Sequence, residues 1–86
     1  MVSPNPVSDK ATIRWQAPIE AHVSLSVHNT AGQLVRMLAD GRTKLGAHSV
    51  TWDSKDSRGR HVPASVYFYR LDTPGFRAVK KAVVAR

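Results

Sequence analysis

Cysteine is absent from the 86-residue sequence. That excludes a disulfide scaffold, a thiol nucleophile and a cysteine zinc site. It does not assign a reducing compartment, since exported bacterial domains also lack cysteine. Long apolar runs are missing too. The longest uninterrupted ones span three or four residues, far short of the ~20 that a membrane-spanning helix needs. The N-terminus, Met1-Val2-Ser3-Pro4-Asn5-Pro6, lacks the basic segment and apolar core of a signal peptide. The length fits one domain. A chain this short buries only about 60–65% of its unfolded surface, so its core is small and it has little wall for a large active-site cleft. Hydrophobic residues at 42% and charged residues at 22% are ordinary globular usage, which argues against disorder throughout.

Acidic residues are also scarce, with 6 Asp and Glu against 13 Lys and Arg, a net +7. The excess is uneven. Residues 1–43 carry four basic and three acidic residues, a net +1; residues 44–86 carry nine and three, a net +6. Such a bias attracts nucleic acid, anionic lipid or acidic glycans. It also serves simply to keep a small domain solvated. No motif of interleaved aromatic and basic residues accompanies the charge, so no nucleic-acid partner is expected.

What is present has a period of two. In His22-Val-Ser-Leu-Ser-Val-His-Asn29, Val23, Leu25 and Val27 point one way and His22, Ser24, Ser26 and His28 the other. That describes a strand with one wet face. Ala11 to Gln16 alternates likewise, with Ile13 and Trp15 inward, and His48 to Asp53 places Val50 and Trp52 on one face. Val66 to Asp72 is dense in β-formers, with Tyr67, Tyr69 and Leu71 inward and Phe68 and Arg70 outward. In the last segment, about 76–85, Phe76, Ala78, Ala82 and Val84 share a face with Lys80, while Val79 and Val83 share the other with Lys81.

Turn residues separate these runs. Gly32, in Asn29-Thr30-Ala31-Gly32, is free to take the positive φ that closes a hairpin. Leu34 to Leu38 is the return strand, with Leu34 and Leu38 on one face and Val35 and Met37 on the other; it is either buried on both sides or an edge strand. Asp40-Gly41 and Gly46 bracket a loop, Asp53 to Gly59 is a polar connection, and Val62 seeds a very short strand before Pro63. Thr73-Pro74-Gly75 is a tight turn. Six or seven short strands, with turn signals about every 8–12 residues, predict an all-β antiparallel sandwich.

The order of short motifs narrows this further. It runs Pro4-Asn5-Pro6, Ala11-Thr12-Ile13, Val23-Ser24-Leu25, Gly32-Gln33-Leu34-Val35-Arg36 and Gly46-Ala47-His48-Ser49-Val50-Thr51-Trp52-Asp53. Asp56-Ser57-Arg58-Gly59-Arg60-His61-Val62, Val66-Tyr67-Phe68-Tyr69-Arg70-Leu71 and Lys80-Lys81-Ala82-Val83-Val84 follow. Taken together, these resemble the Ig-like domain named after the FlgD flagellar hook-capping protein, and the C-terminal sorting domains of the type IX secretion system. The resemblance covers Pro4 to Arg86. It implies an Ig-like sandwich of about seven strands, placed at the C-terminus of larger secreted or surface bacterial proteins. In the type IX group the domain is an address read by outer-membrane machinery; in the flagellar group it is structural. Asn5, Pro6, Gly32, Trp52, Asp53, Asp56, Gly59, Tyr67 and Tyr69 are the motif positions, and their implied role is mainly structural. Ser65 stands where the family commonly has glycine. If that glycine takes a positive φ, Ser65 carries strain or adopts a different turn. Met1, two residues short of the Pro4-Asn5-Pro6 element, reads as an expression start on an excised domain.

Each candidate for chemistry has a plainer reading. Asp53, Asp56 and Ser57 before Gly59 suggest a calcium loop, but EF-hand spacing and a closing Glu are missing. An Asx-type turn explains the carboxylates better. His22 and His28 share a strand face but lie roughly 20 Å apart, too far to share a metal. No Ser sits in a Gly-x-Ser-x-Gly elbow, and no paired carboxylates occur at useful strand spacing. Trp15, Trp52, Tyr67 and Tyr69 could form a sugar-stacking platform, yet each falls on an inward face where it supplies core. Phe68 and Phe76 are the better candidates for exposed rings. The expectation is therefore a non-catalytic module without metal or cofactor, secreted or held at the cell surface after crossing the periplasm. Its partners would be the secretion machinery or neighbouring domains of a parent protein. Recognition would fall to Arg77, Lys80 and Lys81 on the basic last strand. A structural spacer, a carbohydrate-binding module and a nucleic-acid binder are the alternatives.

Overall fold

Alternation at a period of two becomes strand wherever one face can be buried, and it does so along most of this chain. The computed structural model describes residues 2–3, by their backbone, and 7–85. In chain order the strands are β1 (Val2–Ser3), β2 (Ala11–Ala17), β3 (Ala21–His28), β4 (Leu34–Thr43), β5 (Gly46–Trp52), β6 (Ser65–Thr73) and β7 (Phe76–Val84). Six of them have seven residues or more, while β1 is a two-residue pairing segment. One sheet has the order β1-β2-β5 and the other β4-β3-β6-β7, with every named pair antiparallel. No helix occurs among the described residues.

The core lies between the sheets. Val23, Leu25 and Val27 of β3 and Tyr67, Tyr69 and Leu71 of β6 meet Ile13 of β2 and Trp52 of β5, all buried. The Trp52 ring makes edge contacts with Tyr67 and Tyr69, both at 5.8 Å between centroids. The Tyr67 hydroxyl donates to the Pro63 carbonyl at 2.8 Å, a back-bond like the tyrosine corner of Ig-type sandwiches. Asn29 and Gly32 close the β3–β4 hairpin. Gly32 has φ 79° and donates its N–H to the Asn29 carbonyl. The Asn29 side chain accepts from the Ala31 and Gln33 N–H groups.

β4 departs from the expected alternation. It is an edge strand, and its pairing with β3 shifts register twice. Leu25 faces Ala39 and Ser26 faces Met37, so Leu38 is an extra residue; Val27 faces Arg36 and His28 faces Leu34, so Val35 is another. These two bulges turn Val35 and Leu38 together onto the core, while Leu34 and Met37 stay exposed. Strict alternation had placed Val35 and Leu38 on opposite faces. The strand also runs on through Asp40 and Gly41 to Thr43, where a loop was expected. Its ladder with Ala21 to Ser24 of β3 satisfies the backbone there.

Ser65 carries no positive φ. It begins β6 opposite Val84, and the strain expected there is absent. The strained residue is Ser54, with φ 62°. It is fully buried, and its hydroxyl donates to the Asp9 carbonyl at 2.6 Å. Val7 completes the frame. Its N–H donates to the Val83 carbonyl and its own carbonyl accepts from Ala85, a parallel bridge that ties the start of the domain to β7.

Candidate interaction surface

The last hairpin is built by its turn. Pro74-Gly75 joins β6 to β7 with Thr73 opposite Phe76, and Gly75 takes φ 77° as such a tight connection requires. This sets the register of β7, placing Lys80 opposite Tyr69 and Lys81 opposite Phe68. Lys80 therefore lies on the sheet face that carries the core, and Lys81 on the outer face. Both are exposed. Arg77 is partly engaged, since its guanidinium donates to the Asp72 carboxylate at 2.6 Å, which Arg70 also approaches at 2.9 Å. The Arg77 hydrogen bond, aided by both positive charges, holds the Asp72 carboxyl below the usual carboxylate range despite some desolvation. Among the three predicted recognition residues, the two lysines are thus the freer charges.

Trp52, Asp53, Asp56 and Gly59 converge on one loop. The Trp52 indole N–H donates to the Lys55 carbonyl at 2.9 Å. Asp53 accepts from the Lys55 N–H, and Asp56 from the N–H groups of Arg58 and Arg60. The Arg60 N–H bond is the main reason the Asp56 carboxyl is lowered. Gly59, at φ 78°, donates to the Asp56 carbonyl. Arg36 clasps this loop from β4, lying 3.3 Å from Asp53 Oδ1 and from the Lys55 and Asp56 carbonyls. The Val35 carbonyl, on a bulge, accepts from Ser57. These are Asx-type turns, with each carboxylate occupied by backbone. Asn5 and Pro6 lie outside the described residues.

The histidines are dispersed. His22 bonds Asp40 at 2.7 Å, His28 the Ser26 hydroxyl, and His48 the Lys44 carbonyl; His61 sits in a bridge with Lys55. No group of three or more His, Asp or Glu suited to a metal exists among the described residues. Because Asp53 and Asp56 are engaged by backbone N–H groups, millimolar calcium or EDTA should leave the melting temperature unchanged. A rise of several degrees with calcium would mean that the Asp53 to Gly59 loop binds it, since ligand binding to the native state stabilises by mass action.

Trp15 is only half-buried and stacks on His48 at 5.6 Å. With Arg14, Gln16, Ala47, Leu71, Phe76 and Ala78 it lines a cleft of about 520 Å³. Sequence reasoning missed this cleft. Its only signal was the pairing of an inward Trp15 with the polar and small residues at 14, 16, 47 and 48.

The family model for the FlgD Ig-like domain matches residues 5–73. The chain belongs to this family. No curated protein matches it in sequence. Among solved structures the domain is similar to part of dimeric latent PorU from Porphyromonas gingivalis, with a TM-score of 0.78 and 25% identity over 99% of this chain. It is similar to part of PorZ, an essential bacterial surface component of the type IX secretion system of that organism, with a TM-score of 0.70 and 25% identity over 100% of this chain. FlgD from P. aeruginosa shares the fold, with a TM-score of 0.66 and 24% identity over 88% of this chain and 61% of its own. The domain spans only 9% of the PorU chain and 11% of the PorZ chain. FlgD-type Ig-like domains are typically non-catalytic modules. No helix among the described residues is long and apolar enough to cross a membrane.

Proposed function

We propose that residues 1–86 form one Ig-like domain, at the C-terminal end of a larger exported bacterial protein, and act there as a sorting and surface-attachment signal for type IX secretion. The observation that carries this reading is coverage. The whole domain aligns with about a tenth of PorZ, a surface component of that system, and with a similar fraction of PorU. That coverage supports reading it as a single module of a larger protein. Arg77, Lys80 and Lys81 are the residues assigned to recognition. The reading gives the domain no catalytic role, metal or cofactor. In support, the side chains with catalytic potential are held structurally: His22 by Asp40, His28 by Ser26, and Asp53 and Asp56 by backbone N–H groups. The family match to FlgD favours a second reading, a purely structural module.

A fusion of this domain to a periplasmic reporter separates the two. In a bacterium with type IX secretion, the fused reporter should reach the cell surface or the medium, while the unfused reporter stays in the periplasm. A folded fusion retained in the periplasm defeats the sorting reading and leaves the structural one.

A further inference from the structure

Alternate residues of a strand turn their N–H and C=O groups to opposite sides. On β7 the Val83 carbonyl and the Ala85 N–H both reach Val7, away from β6. Arg77, Val79 and Lys81 have the same parity, so their backbone groups also turn away from β6. β7 ends its sheet, and no described strand meets these groups. Among the described residues, Val7 meets this edge at Val83 to Ala85.

Beside this open stretch the sandwich is open between its sheets. Val2 and Ser3 of β1 pair with Ile13 and Thr12, and among the described residues none lies on the outer side of residues 14–16 of β2. The cleft over Trp15 lies there, with Phe76 and Ala78 of β7 on its other wall. Phe76 is 58% exposed and Val79 53%. β7 carries Arg77, Lys80 and Lys81 and no acidic residue. Among the described residues, an open ladder, an apolar cleft beside it and two exposed lysines without an ion-pair partner, on opposite faces, thus coincide along five residues of one strand.

We propose that a protein partner adds an extended strand to β7 along residues 77–81. This rests on the sorting reading and names the chemistry of its partner. Ladder hydrogen bonds supply attraction, and side chains set the register. The residues facing Lys80 and Lys81 are consecutive in the added strand and both are carboxylates, one for each face. Two positions beyond the carboxylate that faces Lys80, on the same face, an apolar side chain enters the cleft beside Ala78. The partner motif is therefore acidic, acidic, any residue, apolar, in the order set by strand direction. A strand without carboxylates leaves Lys80 unneutralised, two residues along the same face from Ala78, so the lysines that guard the edge against indiscriminate pairing also select the partner.

Proline at position 79 tests this directly. The Val79 N–H points outward, so Val79→Pro removes one donor from the open edge and none from the β6 ladder, a placement sheets tolerate at edges. Val79→Thr keeps the donor. In the reporter fusion, Val79→Pro should lower surface signal at least tenfold while Val79→Thr matches the parent, with melting curves confirming that both fold. Equal export of a folded Val79→Pro overturns strand addition while sorting stands. Retention of the parent fusion overturns both. If Val79→Pro does not fold, the exposed double variant Lys80→Glu, Lys81→Glu decides the matter. Strand addition predicts a comparable loss, and parental export of that folded variant overturns it.

Discussion

Trp52→Ala should cost roughly 3–5 kcal/mol, the range for deleting a large buried aromatic. Trp52 is fully buried, and its ring meets Tyr67 and Tyr69 edge-on. Its indole N–H also donates to the Lys55 carbonyl, which Arg36 approaches at 3.3 Å. Alanine would therefore leave a cavity at the centre of the core and loosen the 53–61 loop. Small domains have only about 5–15 kcal/mol of stability to lose. At roughly 4–8 °C for each kcal/mol in a domain of this size, the melting temperature should fall by well over 10 °C, or no cooperative transition should remain. An unchanged melting temperature would refute the central role given to this ring.

Alkaline pH should destabilise the domain through Tyr69. That residue is fully buried, and its hydroxyl has no hydrogen-bond partner among the described residues. Burial disfavours the phenolate and pushes the pKa up to about 12. An unfolded tyrosine titrates near 10. The folded value is the higher one, so this contribution is intact below pH ~10 and is lost as pH rises toward 12. Two pH units correspond to roughly 2–3 kcal/mol. Tyr69→Phe removes the ionisable group and an unpaired buried hydroxyl while keeping the ring against Trp52. The variant should be at least as stable at neutral pH, and its stability should fall less between pH 9 and 12. Denaturant melts of both proteins across that range would show it. Parallel curves, or a variant weakened at neutral pH, would mean that the hydroxyl is satisfied in solution.

Much of this core was legible in the residues. Val23, Leu25 and Val27, and Tyr67, Tyr69 and Leu71, recur at a period of two with polar or outward-facing partners between them. A strand can place such a set only on one face. The turns were legible for a similar reason, because Gly32, Gly59 and Gly75 reach positive φ at little steric cost. Prediction failed on β4, where hydrophobic residues occupy both parities. Bulges resolve that conflict, and a bulge depends on the partner strand rather than on local sequence. Ser54 gave no signal either. Its left-handed backbone goes with a hydroxyl bond to the Asp9 carbonyl, 45 positions away in the chain.

The sequence by itself determined the all-β class, the inward face of most strands, the family resemblance and a last strand with three cations and no acid. Those properties are local, since each depends on the spacing of residues within one strand or turn. Tertiary structure decided which strands became edges, which stretch of β2 pairs with β1, and that Val7 joins β7 at its far end. It also decided that Lys80 and Lys81 stand on opposite faces of an open ladder beside the Trp15 cleft. Edges and clefts arise from which strands pair and how far each pairing runs. Those outcomes come from contacts between segments far apart in the chain, which no single stretch of residues encodes.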